Sequence, residues 1–283
     1  MMFLALIVTL LQAETALTLI VESSQQLFGR AVSMTATADR RIIVADQDDH
    51  TVKIVSAENT ITQSIGGKGW GTDSFDLPGD VSASFLLDLF VTDNNNRRVQ
   101  RYDKQMQFVH GYDEESLGEI GKILPVACAT ALSGEIFILD ADSRRVIRLN
   151  PRSAVEKEFG NFTTTSNSVR EPKDIAVSTS NEIFVLDGSR VLVFDFFGNF
   201  IRTIALTASS DWKTLSVSGH WLLVTASDRI RMIDTETLTD HTIVPASIIG
   251  EKITEPFSDA MIVGEQLLLL TPTNLYRCSF NMP

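Results

Sequence analysis

Three aspartates, Asp80, Asp174 and Asp259, occupy the same place in alternate copies of a repeated stretch, with Ser33, Ala127 and Thr214 at that place in the copies between. Carboxylates brought together this way attract a cation or a cationic ligand, and their mutual repulsion raises at least one pKa. A divalent ion is the cofactor such a set would take, provided the oxygens converge to the ~2.3–2.6 Å that calcium requires. The plainer reading is that each Asp bonds nearby backbone N–H groups. On the first reading these three residues are the candidate ligand-binding and metal-binding site.

Other chemistry is excluded by spacing. The turns DQDDH, DNNNR and DADSR resemble the start of a calcium loop. Their sixth positions are Thr51, Arg98 and Arg145 and their twelfth Ala57, Lys104 and Pro151, whereas an EF-hand needs Gly and Glu there. Gly66-Gly67-Lys68-Gly69 departs from the phosphate-loop pattern. His50, His110, His220 and His241 show no HxxxH or HExxH spacing, and no GxSxG occurs. Cys128 and Cys278 lie in different repeats, which predicts two buried free thiols. No catalytic residue set is read.

The elements that position the aspartates follow from the repeat, which takes precedence over any local pattern. Leu77–Asp103, Leu124–Asn150 and the stretch from Glu171 are copies of one unit, and Arg30–Ser56 is a fourth. Asp46, Asp93, Asp140 and Asp187 are equivalent, at three successive intervals of 47 residues. Two looser copies, Thr214–Asp234 and Asp259–Ser279, put Ala226 and Pro272 in that Asp slot. Six units result. Each reads as four short strands; in the second these are Asp80–Phe85, Asp88–Thr92, Arg98–Tyr102 and Gln107–Tyr112, with an Asx-rich turn at Asp93–Asn96. The repeated Asp and Arg (Asp93 with Arg98, Asp140 with Arg145) are expected to pair and fix that turn or join neighbouring units.

The sixth unit stops after Tyr276–Phe280 without an outer strand, while Leu17–Glu22 is a strand to spare. Pairing the two hides both open edges. The expected fold is all-β: a six-bladed β-propeller of four-stranded antiparallel blades over 17–283, closed by the N-terminal strand completing the last blade. Alternate blades then stand about 120° apart, so the three aspartates ring one mouth of the channel.

The residues carrying this pattern also resemble a known family, the NHL-repeat propellers. The resemblance rests on a Gly-rich lead-in (Gly66, Gly67, Gly69, Gly71), then Phe75, Leu77 and Pro78. A hydrophobic run ending in Asp follows, and a turn closing on Arg98-Val99, Arg145-Val146 and Arg190-Val191. It is close over Arg30–Asp195 and loose from Thr214 onward. It implies six blades and a role in binding, scaffolding or sensing.

The net charge of −12 disfavours a nucleic-acid partner, which needs clustered Lys and Arg. Residues 1–13, MMFLALIVTLLQA, read as a signal peptide with Ala13 at the cleavage position, although a basic start is missing. The run is too short to span a bilayer, so stable membrane insertion is not expected. The expectation is a periplasmic or extracellular propeller that binds a protein, peptide or small molecule. The alternative is a metal-assisted hydrolase or lyase, lactonase-like or amidating-lyase-like, working at the acidic mouth. Those enzymes combine Glu, Asn, Asp or His near the axis, and this chain offers neither the His set nor an identifiable Glu.

Overall fold

A computed structural model describes residues 17, 19–85, 87–161, 167–206 and 211–280. The signal-peptide expectation for residues 1–13 lies outside them.

Six four-stranded antiparallel blades form a ring. Blade 1 comprises Ala31–Ala36, Ile42–Asp46, Thr51–Val55 and Ile61–Gly66, from the axis outward. Blade 2 follows with Pro78–Ala83, Leu89–Asp93, Arg98–Tyr102 and Phe108–Tyr112, and blades 3, 4 and 5 begin at Pro125, Pro172 and Trp212. Blade 6 takes Asp259–Val263, Gln266–Leu270 and Asn274–Phe280 from the C-terminus and Leu19–Gln26 from the N-terminus. The chain is a six-bladed β-propeller. Its inner strands touch in ring order, the last against the first.

Closure is antiparallel, with Leu19 opposite Phe280, Ser24 opposite Tyr276 and Gln26 opposite Asn274. A bulge between Val21 and Ser23 interrupts the ladder. The two-residue strand Ile248–Ile249 then pairs in parallel with Leu19–Ile20, so the closing strand is bonded on both sides. This fifth strand was not anticipated.

The second strand of each blade explains why blades stack. IIVAD, LFVTD, IFILD and IFVLD are buried at every residue, as short unbroken apolar runs between two sheets should be. Six hydrophobic clusters fill the six interfaces; Phe90 and Tyr112 of blade 2, for example, pack with Ile138 and Ile147 of blade 3. The last cluster joins Leu268 and Leu270 of blade 6 to Ala31 and Met34 of blade 1.

The Asp slots behave as joints within a blade. Asp93 accepts the Asp76 N–H at 2.7 Å and Arg98 Nε at 2.9 Å; Asp140 accepts the Leu124 N–H at 2.9 Å and Arg145 Nε at 3.0 Å. Each carboxylate thus ties the turn between the second and third strands to the segment leading into the inner strand. Register corrects one slot. Asp259 is opposite Leu270, as Asp80 is opposite Thr92, so the sixth slot is Thr271 and not Pro272. There the roles reverse: Thr271 donates its hydroxyl to Glu255 of the lead-in at 2.6 Å.

Candidate functional site

Inner strands start two residues earlier than the repeat suggested in blades 2 and 4, at Pro78 and Pro172. A register shift separates Pro78 from Asp80 and Pro172 from Asp174, and equivalent shifts precede Ser33, Ala127 and Thr214. A bulge re-aims the side chain that follows it. All three aspartates are buried and line one channel cavity of about 230 Å³, together with Ser33 and Cys128. The three residues that the repeat places at one mouth thus share one cavity.

Their oxygens are already engaged. Asp80 accepts the Ser33 hydroxyl at 2.7 Å from blade 1 and the Cys128 N–H at 2.8 Å from blade 3. Asp174 accepts the Leu215 N–H at 2.6 Å from blade 5 and its neighbour Ile175 N–H at 2.7 Å. Asp259 accepts the Thr214 hydroxyl at 2.7 Å, the Ala260 N–H at 2.8 Å and, from blade 1, the Met34 N–H at 2.9 Å. Val81, the sixth equivalent residue, donates its N–H to Ser33 Oγ at 3.3 Å. One tier of backbone N–H groups, one from each inner strand, is thereby satisfied by ring side chains, as buried donors must be.

Burial pushes Asp80 up to about 6 and Asp259 up to about 7, against the N–H and O–H donors that favour their charged forms. Burial, followed by the charge of Asp80, pushes Asp174 well above the ordinary carboxylate range. The ring can therefore hold protons near neutrality. Cys128 beside it is no activated nucleophile, since burial raises its thiol well above the usual value. Among the described residues no group of three or more His, Cys, Asp or Glu could hold a metal ion. The donor set fits blade-to-blade bonding better than a divalent cation.

A second concavity has no counterpart in the sequence reading. Between blades 2 and 3, a groove of about 650 Å³ is lined by Trp70, Asn96, Arg97, Glu115, Lys122 and Ile123, with Asp113 and Glu114 beside them. Trp70 stands in the Gly-rich connector entering blade 2, whose path demands positive φ at Gly66 (109°); a Cβ there would come within 2.6 Å of the Phe75 ring. Blade 2 grips that connector. Asn96 Nδ2 donates to the Gly69 carbonyl at 2.8 Å, and the Arg98 guanidinium donates to those of Trp70 at 3.0 Å, Gly71 at 2.8 Å and Ser74 at 3.1 Å.

The opposite wall is the longer connector into blade 3. It carries a helical turn, Glu114–Leu117, capped by Asp113, which accepts the Ser116 N–H at 3.0 Å. Trp70 is 72% exposed, the highest value among the exposed large hydrophobic residues. A tryptophan between glycines and the run Asp113-Glu114-Glu115 were the only signals of this groove in the sequence.

Comparison with known proteins supports the fold and the repeat. No family model matches. Protein brain tumor of Drosophila melanogaster is 25% identical over 132 residues, 45% of this chain, and the chain spans 12% of that protein's length. Among solved structures, a putative gluconolactonase gives a TM-score of 0.68 at 13% identity, covering 94% of this chain and 93% of that one. A streptogramin B lyase gives 0.65 at 13% identity, covering 95% of this chain and all of that one (100%). A catalytically inactive virginiamycin B lyase from Staphylococcus aureus with quinupristin gives 0.64 at 11% identity, covering 93% and 99%. At these identities the likeness is one of fold.

Proposed function

We propose that this propeller is a binding module whose working surface is the groove between blades 2 and 3. One observation carries the reading: a concavity of about 650 Å³ with an almost bare tryptophan on one wall and charged side chains on the other. Pockets of that size with an apolar anchor and a few polar groups are the usual form of ligand sites. The partner is a protein or peptide segment, in keeping with the NHL-like repeat, and the export read from residues 1–13 would have it met outside the cytoplasm.

Trp70 is its own reporter. Titration with a peptide library should include ligands that shift the tryptophan emission of the wild type. Trp70→Ala should weaken these at least tenfold while leaving the melting temperature within about 1 °C, as surface changes usually do. Ligands that bind Trp70→Ala as tightly as the wild type would remove the groove from consideration.

A hydrolase or lyase reading of the channel draws on the names of two structural neighbours and on three raised carboxylates beside a cavity. It predicts turnover of a lactone or a streptogramin that Asp174→Asn abolishes. Equal, near-zero rates for both proteins would end it.

A further inference from the structure

We infer that the groove between blades 2 and 3 receives an arginine side chain of the partner; this rests on the groove reading above and names what the groove takes. Charge comes first. Of the two cations on its walls, Arg97 is paired with Asp142 and Lys122 lies 3.8 Å from Glu114. Asp113 and Glu115 have no cationic partner among the described residues, so the groove is left with net negative character.

Hydrogen bonding points the same way. The Asp113, Glu114 and Glu115 carboxylates on the groove walls are acceptors. A guanidinium brings five N–H groups and no acceptor, whereas a carboxylate or phosphate would bring more acceptors.

Shape and polarizability add a third reason. An exposed indole on the rim offers a face on which a planar cation stacks, and arginine stacks on aromatic faces more readily than lysine.

The test is calorimetric titration of the full chain with acetylated, amidated peptides Gly-Leu-Xaa-Leu-Gly, where Xaa is Arg, Lys, citrulline or Ala. The arginine peptide should bind about tenfold more tightly than the alanine peptide, with lysine between them and neutral citrulline close to alanine. Glu115→Gln and Trp70→Ala should each weaken the arginine peptide about fivefold with an unchanged melting temperature. Equal affinities for all four peptides, still sensitive to Trp70→Ala, overturn the guanidinium and leave the groove standing. Arginine-dependent binding untouched by either substitution overturns the site. No arginine-dependent binding at millimolar peptide overturns the inference, while the groove reading falls only on the library result above.

Discussion

Asp174 accepts the Leu215 N–H at 2.6 Å across the boundary between blades 4 and 5, yet no hydroxyl reaches it from blade 3. Ala127 stands where Ser33 and Thr214 supply hydroxyls to Asp80 and Asp259. Asp174 is accordingly the one anion of the three without a hydroxyl donor, and burial together with the charge of Asp80 raises it well above the ordinary carboxylate range.

Ala127→Ser should supply the absent donor. A hydrogen bond to the ionised form lowers the Asp174 pKa and stabilises the protein by about 1 kcal/mol at pH 8. Carboxyl carbon shifts followed by NMR across the titration would show the drop; an unmoved Asp174 would mean the serine points elsewhere.

The ring should also set a pH dependence of stability. A carboxyl raised in the folded state makes that state bind more protons than the unfolded chain between the unfolded value near 4 and the folded values, about 6 for Asp80 and about 7 for Asp259. Its stabilising contribution is complete below ~4 and is lost as pH climbs through ~6–7. Melting temperature should rise from pH 8 to pH 5, and the triple change Asp80→Asn, Asp174→Asn, Asp259→Asn should flatten that slope. Parallel slopes for the two proteins would count against it.

Asp80→Ala strands the Cys128 N–H, a cost of about 1–3 kcal/mol, plus the lost Ser33 bond. Asp80→Asn should lose less, since the Ser33 hydroxyl can turn to accept from the amide. Urea denaturation midpoints of the two variants would order them.

Leu19→Ala tests closure. Leu19 is fully buried between blades 5 and 6, so truncation should destabilise by about 2–5 kcal/mol. A loss below ~1 kcal/mol in equilibrium unfolding would mean that the N-terminal strand contributes little to the ring.

Arg98→Ala removes three carbonyl ties from the connector bearing Trp70. Faster amide exchange over residues 67–75, with the inner strands still protected, is the expected result. Uniform loss of protection would instead make Arg98 a determinant of the whole blade.

Six blades, the closing strand and the aspartate tier were legible because the 47-residue repeat carries position with it. Many strand bounds were read to within a residue or two, but the closing strand, read as Leu17–Glu22, runs Leu19–Gln26, and a bulge at Pro78 adds a residue to an inner strand that no alternation reveals. The sixth slot slipped from Thr271 to Pro272 because LLLL has no polar residue to mark its register. What engages the carboxylates was illegible, since Cys128, Leu215 and Met34 give N–H groups whatever their side chains are. The groove was missed for a different reason: Trp70, Asn96 and Glu115 come from three segments that share no repeat position.

The pairing of Leu19 with Phe280 has a temporal side. On the ribosome the first of these emerges about 260 residues ahead of the second, a separation that makes the contact a slow one. Five blades can be assembled before their latch exists. Until Phe280 has emerged the nascent circle stands open at a seam, and any chaperone that guards this polypeptide has its task there.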